Sequence, residues 1–462
     1  MRLIVHRSAL SVLIALLAIA AAQSARAQSI LITQKPNALV YGDLYVPVQT
    51  TEPVVRVALF INGVKYTEGT GRSMDLPVKI GDYIRRLRIR AVGYDAQGNI
   101  AGEDEMVVND PRPPFRVRLH ANHGKLEASV VKPQQLGVTS VDFLVGEEKI
   151  AGITAPPYSA EFEPTKYPNA VYARVVAHGS DGSEANDVLF FGTNPNEQVD
   201  VAVQQVPISV VGGDRAPKPG ELTLLDDGKP RHIEALTPAS EQPLYVILLI
   251  DYSESMLEEL PVVKLAARQF AQKLLRPQDR IAVVGFNQTT FWLTPFTNDF
   301  NAAAASVDRV KPSGETHLYD TAIELLYELQ KRPGRHALVI LTDGVDQGSR
   351  FKLDHLVHYA RYAAVPVYPI IKNKMLTRLM RFGVGYLEAR RLAAIARDTG
   401  ATYFIIKGER ELPDVYAKLA QELRNQYQLA FYSDPSAADQ WHALSISSSA
   451  GQHLRIPRGY FP

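Results

Sequence analysis

The 462-residue chain contains no cysteine, although its N-terminus has the features of an export signal. Disulfides are permitted outside the cytoplasm, so an exported chain without them must hold its domains together by packed cores alone. The absence of cysteine also excludes cysteine nucleophiles and thiolate metal sites. The chain also has no excess of charge: 50 basic and 49 acidic residues leave a net charge of +1. This balance gives no indication of a nucleic-acid partner.

Long apolar runs are confined to the N-terminus. Ala9 to Ala22 follows a short basic stretch and is too short to cross a bilayer comfortably as a helix. Ala25-Arg26-Ala27 has the small-x-small form of a cleavage site, so we predict a signal peptide over residues 1–27. An uncleaved membrane anchor is the alternative. The mature protein is expected in the periplasm, secreted or at the cell surface.

Motifs of common catalytic sites are missing too. There is no His-Glu-x-x-His of a metalloprotease, no Gly-x-Ser-x-Gly elbow and no Gly-x-x-x-x-Gly-Lys phosphate loop. His355 and His358 share a helix face, but no third ligand for a transition metal is evident. We therefore predict a protein that is not an enzyme.

Residues 28–196 show short alternating runs separated by turn residues, which is typical of all-β domains. Asn62-Gly63 between two apolar runs is a hairpin signature. The run from Val57 recurs as Val141 to Gly146, which favours two copies of one small sandwich. We place them at 28–111 and 112–196, with a proline-rich joint around Pro111.

The N-terminal half resembles bacterial immunoglobulin-like repeats. The resemblance rests on Ala155-Pro156-Pro157-Tyr158 and Tyr167-Pro168-Asn169-Ala170, a motif that the first copy lacks. It implies two immunoglobulin-like β-sandwiches that serve as spacers or as adhesive modules, with spacers preferred.

The C-terminal half changes rhythm. Residues 197–242 predict a β-rich segment with a turn at Asp226-Asp227-Gly228. Residues 243–434 alternate apolar strands with helical patterns, which predicts a parallel sheet with helices on both faces. Residues 435–462 predict a closing β pair that packs with the 197–242 segment. The predicted α/β strands are 246–250, 281–286, 337–341 and 365–371, and the predicted helices are 262–275, 318–329, 353–362, 387–397 and 412–424.

Oxygen-bearing side chains cluster where these strands end. Asp251, Ser253 and Ser255 follow the first strand, Thr316 lies in a later loop, and Asp343 follows another strand. Ligands of open α/β sheets collect at the carboxyl ends of strands, and oxygen ligands suit a hard cation such as Mg²⁺. Turn and helix-cap roles for these hydroxyls are the alternative.

Residues 243–434 resemble a von Willebrand factor type A domain, and the three loops match its metal-ion-dependent adhesion site. The resemblance implies a doubly wound, Rossmann-like fold. It makes Ser253, Ser255 and Thr316 hydroxyl ligands, and Asp251 and Asp343 residues that act mainly through water. The metal is expected to be Mg²⁺, with Mn²⁺ and Ca²⁺ as alternatives. The expected rim that faces a partner consists of Tyr252, Glu254 and His317.

A more specific resemblance, over residues 197–462, is to bacterial exported proteins related to von Willebrand factor type A. It rests on the stretches 226–230, 295–297, 314–320, 423–427 and 458–461. An open metal position favours a carboxylate from a partner protein. We therefore predict an exported, non-enzymatic adhesion module. The alternatives are a periplasmic scaffold or assembly factor, and a hydrolase that uses the metal as a Lewis acid, which the missing general-base motif opposes.

Two further features concern partners. The commonest form of the motif has Gly where this chain has Glu254, whose charge would oppose an acidic partner or simply face solvent. Residues 372–385 combine basic and apolar side chains, which favours either a helix that contacts a membrane surface or a partner, or one that packs on its own domain.

Overall fold

The computed structural model describes most of the chain from Ser29 to Phe461. Residues 1–28, 37, 111–114, 123, 133–134, 147, 169, 171, 191–201, 212–214, 240–241, 255–269, 271–275, 307–311, 333, 343–345, 373–383, 434–439 and 462 lie outside the described residues. The predicted signal peptide is among them. The described chain is mostly β, with few helices and several small sheets, and it divides into two compact units, Met1–Asp110 and Pro111–Pro462.

The first unit consists of two antiparallel sheets with the strand orders β1-β2-β5 and β4-β3-β6-β7. Alternate residues of these strands are buried in one shared core, as a period of two requires. Asn62 and Gly63 both have positive φ, 50° and 87°, so the predicted hairpin turn is confirmed. The strands are β1 Ile30–Ile32, β2 Gly42–Thr50, β3 Arg56–Ile61, β4 Val64–Gly69, β5 Ser73–Gly81, β6 Leu87–Tyr94 and β7 Ile100–Val108.

The second unit begins with two further antiparallel sheets of orders β12-β9-β8 and β11-β10-β13-β14. The four-stranded sheet repeats the arrangement of β4-β3-β6-β7, since two hairpins pair through their inner strands in both. The strands are β8 Arg116–Asn122, β9 Lys125–Val131, β10 Val138–Val145, β11 Glu148–Ile153, β12 Tyr158–Glu161, β13 Tyr172–Gly179 and β14 Glu184–Phe190.

A six-stranded sheet of order β21-β20-β19-β22-β23-β24 forms the α/β region. Its neighbours pair in parallel except β21, which is antiparallel to β20. The central strand is buried along almost its whole length, which explains its continuous apolar sequence. The strands are β19 Leu244–Asp251, β20 Arg280–Phe286, β21 Thr290–Thr297, β22 Arg335–Thr342, β23 Val367–Lys372 and β24 Phe404–Ile406.

Helices of the α/β region pack on this sheet. The buried residues of the last helix recur every three or four positions and share one core with alternate residues of β19. The predicted helix 262–275 lies outside the described residues except Phe270, which is helical. The α-helices with described bounds are α1 Phe300–Ser306, α2 Leu318–Gln330, α3 Leu353–Ala363, α4 Val384–Asp398 and α5 Leu412–Arg424.

Two four-stranded sheets flank the α/β region, with the orders β18-β25-β15-β27 and β17-β16-β26-β28. Each combines strands that precede the α/β region with strands that follow it, as predicted for 197–242 and the C-terminus. The strands are β15 Ala202–Val211, β16 Leu222–Asp226, β17 Lys229–Arg231, β18 Ile233–Pro238, β25 Gln426–Ser433, β26 His442–Ser448, β27 His453–Arg455 and β28 Gly459–Tyr460.

Two details of these flanking sheets correct the sequence analysis. The predicted closing β pair is wrong, because β26 pairs with β16 and β28 whereas β27 pairs with β15. The strand β25 falls within the predicted range 243–434, yet it pairs with β15 and β18 outside that range. Apolar alternation marks a strand but carries no information about its partner, so both errors concern pairing.

No helix among the described residues is long and apolar enough to cross a membrane.

Candidate functional site

The predicted metal-binding residues that the structure describes lie at the carboxyl edge of the six-stranded sheet. β19 ends at Asp251 and β22 ends at Thr342, and these neighbours are in register, since Ile250 pairs with Leu341. Their final residues therefore meet at the same edge, which is where parallel strands present ligands. Ser255 and Asp343, the other two predicted residues of these loops, lie outside the described residues.

Asp251 is fully buried, and both of its carboxylate oxygens accept hydrogen bonds. Oδ1 accepts from the Ser253 backbone N–H at 2.8 Å, and Oδ2 accepts from the Thr342 hydroxyl at 2.7 Å. Two donors on opposite oxygens fix the rotation of the carboxylate. Asp251 thus orients the start of its own loop and the end of the neighbouring strand. The role of Thr342 was missed, although it stands beside Asp343 in the sequence.

The second predicted loop is held against the first by backbone hydrogen bonds. The Ser313 N–H donates to the Tyr252 carbonyl at 2.8 Å, and the Glu254 N–H donates to the Gly314 carbonyl at 3.5 Å. Thr316 follows in this loop and is 2% exposed, and Ser253 is 3% exposed. Two residues with short hydroxyl side chains, Ser253 and Thr316, are therefore buried in two loops that are held together at this edge.

The start of α2 is held by residues that the sequence analysis did not assign. Asp346 Oδ1 accepts from the backbone N–H groups of Leu318 at 2.8 Å and Tyr319 at 3.3 Å. Asp320 in turn accepts from the N–H groups of Arg350 at 3.0 Å and Phe351 at 2.9 Å. A carboxylate at a helix N-terminus satisfies free N–H groups and the positive end of the helix dipole. These bonds fix the position of Thr316 relative to the third loop.

One of the three residues predicted for the rim is buried in the structure. The side chain of Tyr252 is fully buried and meets the Phe291 ring edge-on, with ring centroids 5.4 Å apart. Its assignment to the rim is therefore wrong, because the ring fills the core beneath the loop. Glu254 is exposed and His317 is partly exposed beside Glu315. Both remain placed where a partner could reach them.

Two further candidates from the sequence are the pair His355 and His358 and the basic segment 372–385. His355 Nδ1 accepts from the Lys352 N–H at 3.1 Å, whereas the His358 ring packs on Phe461, so the two imidazoles serve separate contacts. In the basic segment 372–385, residues 373–383 lie outside the described residues.

The fold and the site together define an α/β domain with a polar, oxygen-rich edge. Residues 246–345 match the family model of the von Willebrand factor type A domain, so the C-terminal half of the chain carries such a domain. In bacterial proteins such a domain indicates protein interaction or adhesion. A comparison with curated proteins finds no match.

Among solved structures, the vWF domain of the type V pili tip protein Mfa5 from Porphyromonas gingivalis is 13% identical, with a TM-score of 0.33, over 39% of this chain and 94% of that one. BatB from Bacteroides thetaiotaomicron is 18% identical, with a TM-score of 0.31, over 39% and 97%. A von Willebrand factor type A protein from Catenulispora acidiphila is 12% identical, with a TM-score of 0.35, over 56% and 73%.

Proposed function

We propose that this protein is an exported, non-enzymatic binding module that engages an acidic group of a partner protein through a metal ion at the carboxyl edge of the six-stranded sheet. The observation that carries the proposal is Asp251: a fully buried carboxylate, held by Ser253 and Thr342, at an edge that also buries the Thr316 hydroxyl. A buried charge of this kind is unfavourable unless it is paired or serves a cation.

The donor set fits a hard divalent cation. Among the described residues, no hydrogen bond involves the hydroxyl of Thr316, although that residue is buried. Hydroxyl and carboxylate oxygens are ligands of Mg²⁺, and the chain has no cysteine thiolate that would favour a softer metal. Ser253, Ser255 and Thr316 would hold the ion, and Asp251 and Asp343 would position its waters. When bound, the ion would supply positive charge for a partner carboxylate.

The surrounding residues determine what approaches that charge. Glu254 lies exposed in the first loop, so a partner carboxylate must pass a negative charge on the rim. His317 and Glu315 lie 3.9 Å apart on the second loop, which makes this side of the rim polar as well. The arrangement favours a partner that presents one well-placed acidic group over a broad acidic surface.

The remaining parts of the proposal concern architecture. We take residues 28–111 and 112–196 as immunoglobulin-like spacers, 243–434 as the doubly wound α/β domain, and 1–27 as a signal peptide. The repeated strand order of the two N-terminal four-stranded sheets supports the first of these. A scaffold or assembly factor in the periplasm would use the same surface.

A titration of the full chain with Mg²⁺, followed by calorimetry and thermal unfolding, tests the metal site. We expect binding by the native chain and by Glu254→Gln, a matched change in the same loop, and none by Asp251→Ala. Identical titrations of the native chain and Asp251→Ala would contradict the assignment. Partner capture with and without a chelator tests the function, since a chelator-insensitive set of partners would remove the metal from recognition.

A further inference from the structure

A second group of side chains of types that bind metals lies in the flanking sheets. Asp226 ends β16, Asp227 begins the turn to β17, and His442 begins β26. One ligand atom of each lies within 4.8 Å of the other two. Asp227 and His442 are 215 positions apart in the sequence, so the cluster joins the strands that enter and leave the α/β region.

Asp226 supplies an independent observation. Its side chain is 1% exposed, and its Oδ2 accepts from Arg231 Nε at 3.0 Å and from the Tyr460 hydroxyl at 3.3 Å. Its Oδ1 is buried and has no hydrogen-bond partner among the described residues. A buried carboxylate oxygen without a donor is unfavourable and calls for an explanation, of which an ion is one.

The orphaned oxygen points into the cluster. Asp226 Oδ1 lies 3.8 Å from His442 Nδ1, which is too far for a hydrogen bond. Arg231 and Tyr460 hold the opposite oxygen, and the His442 ring stacks on Tyr460 with centroids 5.3 Å apart. Such outer contacts are what orients metal ligands in proteins. Asp226 could therefore use Oδ1 for an ion while Oδ2 keeps its present contacts.

Asp227 completes the cluster from the solvent side. Its Oδ2 lies 2.9 Å from His442 Nδ1, and its Oδ1 accepts from the Ala443 N–H at 2.8 Å. The Asp227 N–H donates to the Ala443 carbonyl at 2.8 Å, so the turn is fixed to β26 by backbone as well. The side chain is 45% exposed, which leaves an entry path and room for a water ligand.

The spacing and the donor types select a class of metal. Ligand atoms about 2.1 Å from a tetrahedral zinc ion lie about 3.4 Å from each other. The two observed separations from His442 Nδ1, 2.9 and 3.8 Å, lie on either side of this value, so small movements suffice. One imidazole with two carboxylates suits zinc or a similar borderline cation better than Mg²⁺.

We propose that Asp226, Asp227 and His442 form a binding site for a zinc-class divalent cation, separate from the carboxyl edge of the six-stranded sheet. The ion would clamp the β16–β17 turn to the start of β26. It would thereby connect a strand that precedes the α/β region with one that follows it, and its role would be structural.

Calorimetry with Zn²⁺ and visible absorption with Co²⁺ test the site in the full chain, with millimolar Mg²⁺ present to occupy the other edge. We expect the native chain to bind one equivalent of Zn²⁺. Asp227→Asn should lower the affinity for this ion by about tenfold or more. Asn suits this position, because φ is 50° and the amide oxygen can still accept from Ala443. His442→Gln should have the same effect on binding and should also remove the spectral signature of a nitrogen ligand.

Two controls separate this proposal from the function proposed above. His453→Gln changes an exposed histidine of the same flanking region and should leave zinc binding unchanged. Asp251→Ala should also keep the zinc equivalent while losing the response to Mg²⁺. Zinc binding that is the same in the native chain, Asp227→Asn and His442→Gln would overturn the proposal, and so would no zinc binding by the native chain. In the latter case the 2.9 Å contact between Asp227 and His442 would serve only to hold the turn to β26.

Discussion

The six-stranded sheet and the flanking sheets each bury an aspartate at a strand end, and the two differ in what satisfies them. Asp251 has a hydrogen bond on each oxygen, one from its own loop and one from the neighbouring strand. Asp226 has two donors on one oxygen and none on the other. Both oxygens of Asp251 hold neighbouring groups in place, whereas Asp226 Oδ1 accepts no hydrogen bond among the described residues.

This difference separates two ways in which a buried carboxylate serves a metal. Asp251 would act indirectly, by fixing Ser253 and the end of β22 so that hydroxyls and waters present themselves. Asp226 would act directly, through Oδ1, with a histidine as its fellow ligand. The environment of each oxygen decides the role, since both residues are aspartates at strand ends.

Asp251→Ala should have the largest effect on stability. We expect the free energy of unfolding in the absence of metal to fall by about 2–4 kcal/mol, because the Ser253 amide and the Thr342 hydroxyl lose this acceptor inside the protein. Chemical denaturation measures the change, and Glu254→Gln in the exposed part of the loop serves as the control. A loss below about 0.5 kcal/mol would show that Asp251 is not the organising residue of this edge.

The amino end of the same sheet gives the next largest effect, through pH. Burial lowers the pKa of His336, at the start of β22, to about 4. Between this value and the ordinary value near 6.5 the unfolded chain binds more protons, so stability rises with pH in this window and falls on acidification. The upper limit of the loss is about 3 kcal/mol, at about 1.4 kcal/mol per tenfold change in proton affinity.

His336→Gln isolates this contribution. Its amide can still donate to the Arg332 carbonyl, which His336 Nε2 contacts at 2.8 Å, but it does not titrate. Between pH 4 and 7 the free energy of unfolding should depend less on pH for His336→Gln than for the native chain. His453→Gln should keep the pH dependence of the native chain. Parallel pH profiles for the native chain and His336→Gln would show that acid sensitivity arises elsewhere.

The flanking cluster should respond less to the loss of charge. Asp226→Asn weakens the contact of Oδ2 with Arg231 and should cost about 1–2 kcal/mol without metal. Asp227→Asn should cost under about 0.5 kcal/mol, since the residue is half exposed. Denaturation with and without Zn²⁺ compares them: both variants should lose the stabilisation by zinc. An equal gain in stability with zinc in the native and variant chains would show that zinc does not bind at Asp226, Asp227 and His442.

Glu254→Gly should change partner binding only slightly. Removing an exposed negative charge near the metal edge should strengthen metal-dependent binding of an acidic partner by a few-fold, about 0.5–1 kcal/mol, and less at high salt. Binding titrations at low and high ionic strength measure both terms. An unchanged affinity would show that this side chain faces away from the partner, and Glu254→Gln would then behave as Glu254→Gly does.

Local chemistry explains which elements could be predicted from the sequence. The helix Leu412–Arg424 follows from apolar residues at three- and four-residue spacing, and the turn at Asn62-Gly63 follows from positive φ at both positions. The strand order of the sheets and the partner of β25 could not be predicted, because pairing depends on residues more than 200 positions away.

The candidate site divides along the same line. The sequence could predict that Asp251, Ser253 and Thr316 lie at one edge of the sheet. Asp251 and Ser253 follow an apolar strand, and Thr316 lies just before a helix. The burial of Tyr252 could not, since a tyrosine between two polar loop residues fits both solvent and core, and only Phe291 on β21 decides. That strand was not predicted, because Pro295 and polar alternation weaken its apolar pattern.

The pairing of β25 with β15 has a consequence for the order of folding. Ala202 lies opposite Ser433, so this ladder closes a loop of more than 200 residues. The entropy of such a closure is offset only when the intervening α/β region is already compact. We expect refolding to show a fast phase for the six-stranded sheet and a slower one for the flanking sheets. The pairing of β15 with β25 would thus form only after the α/β region between them has folded.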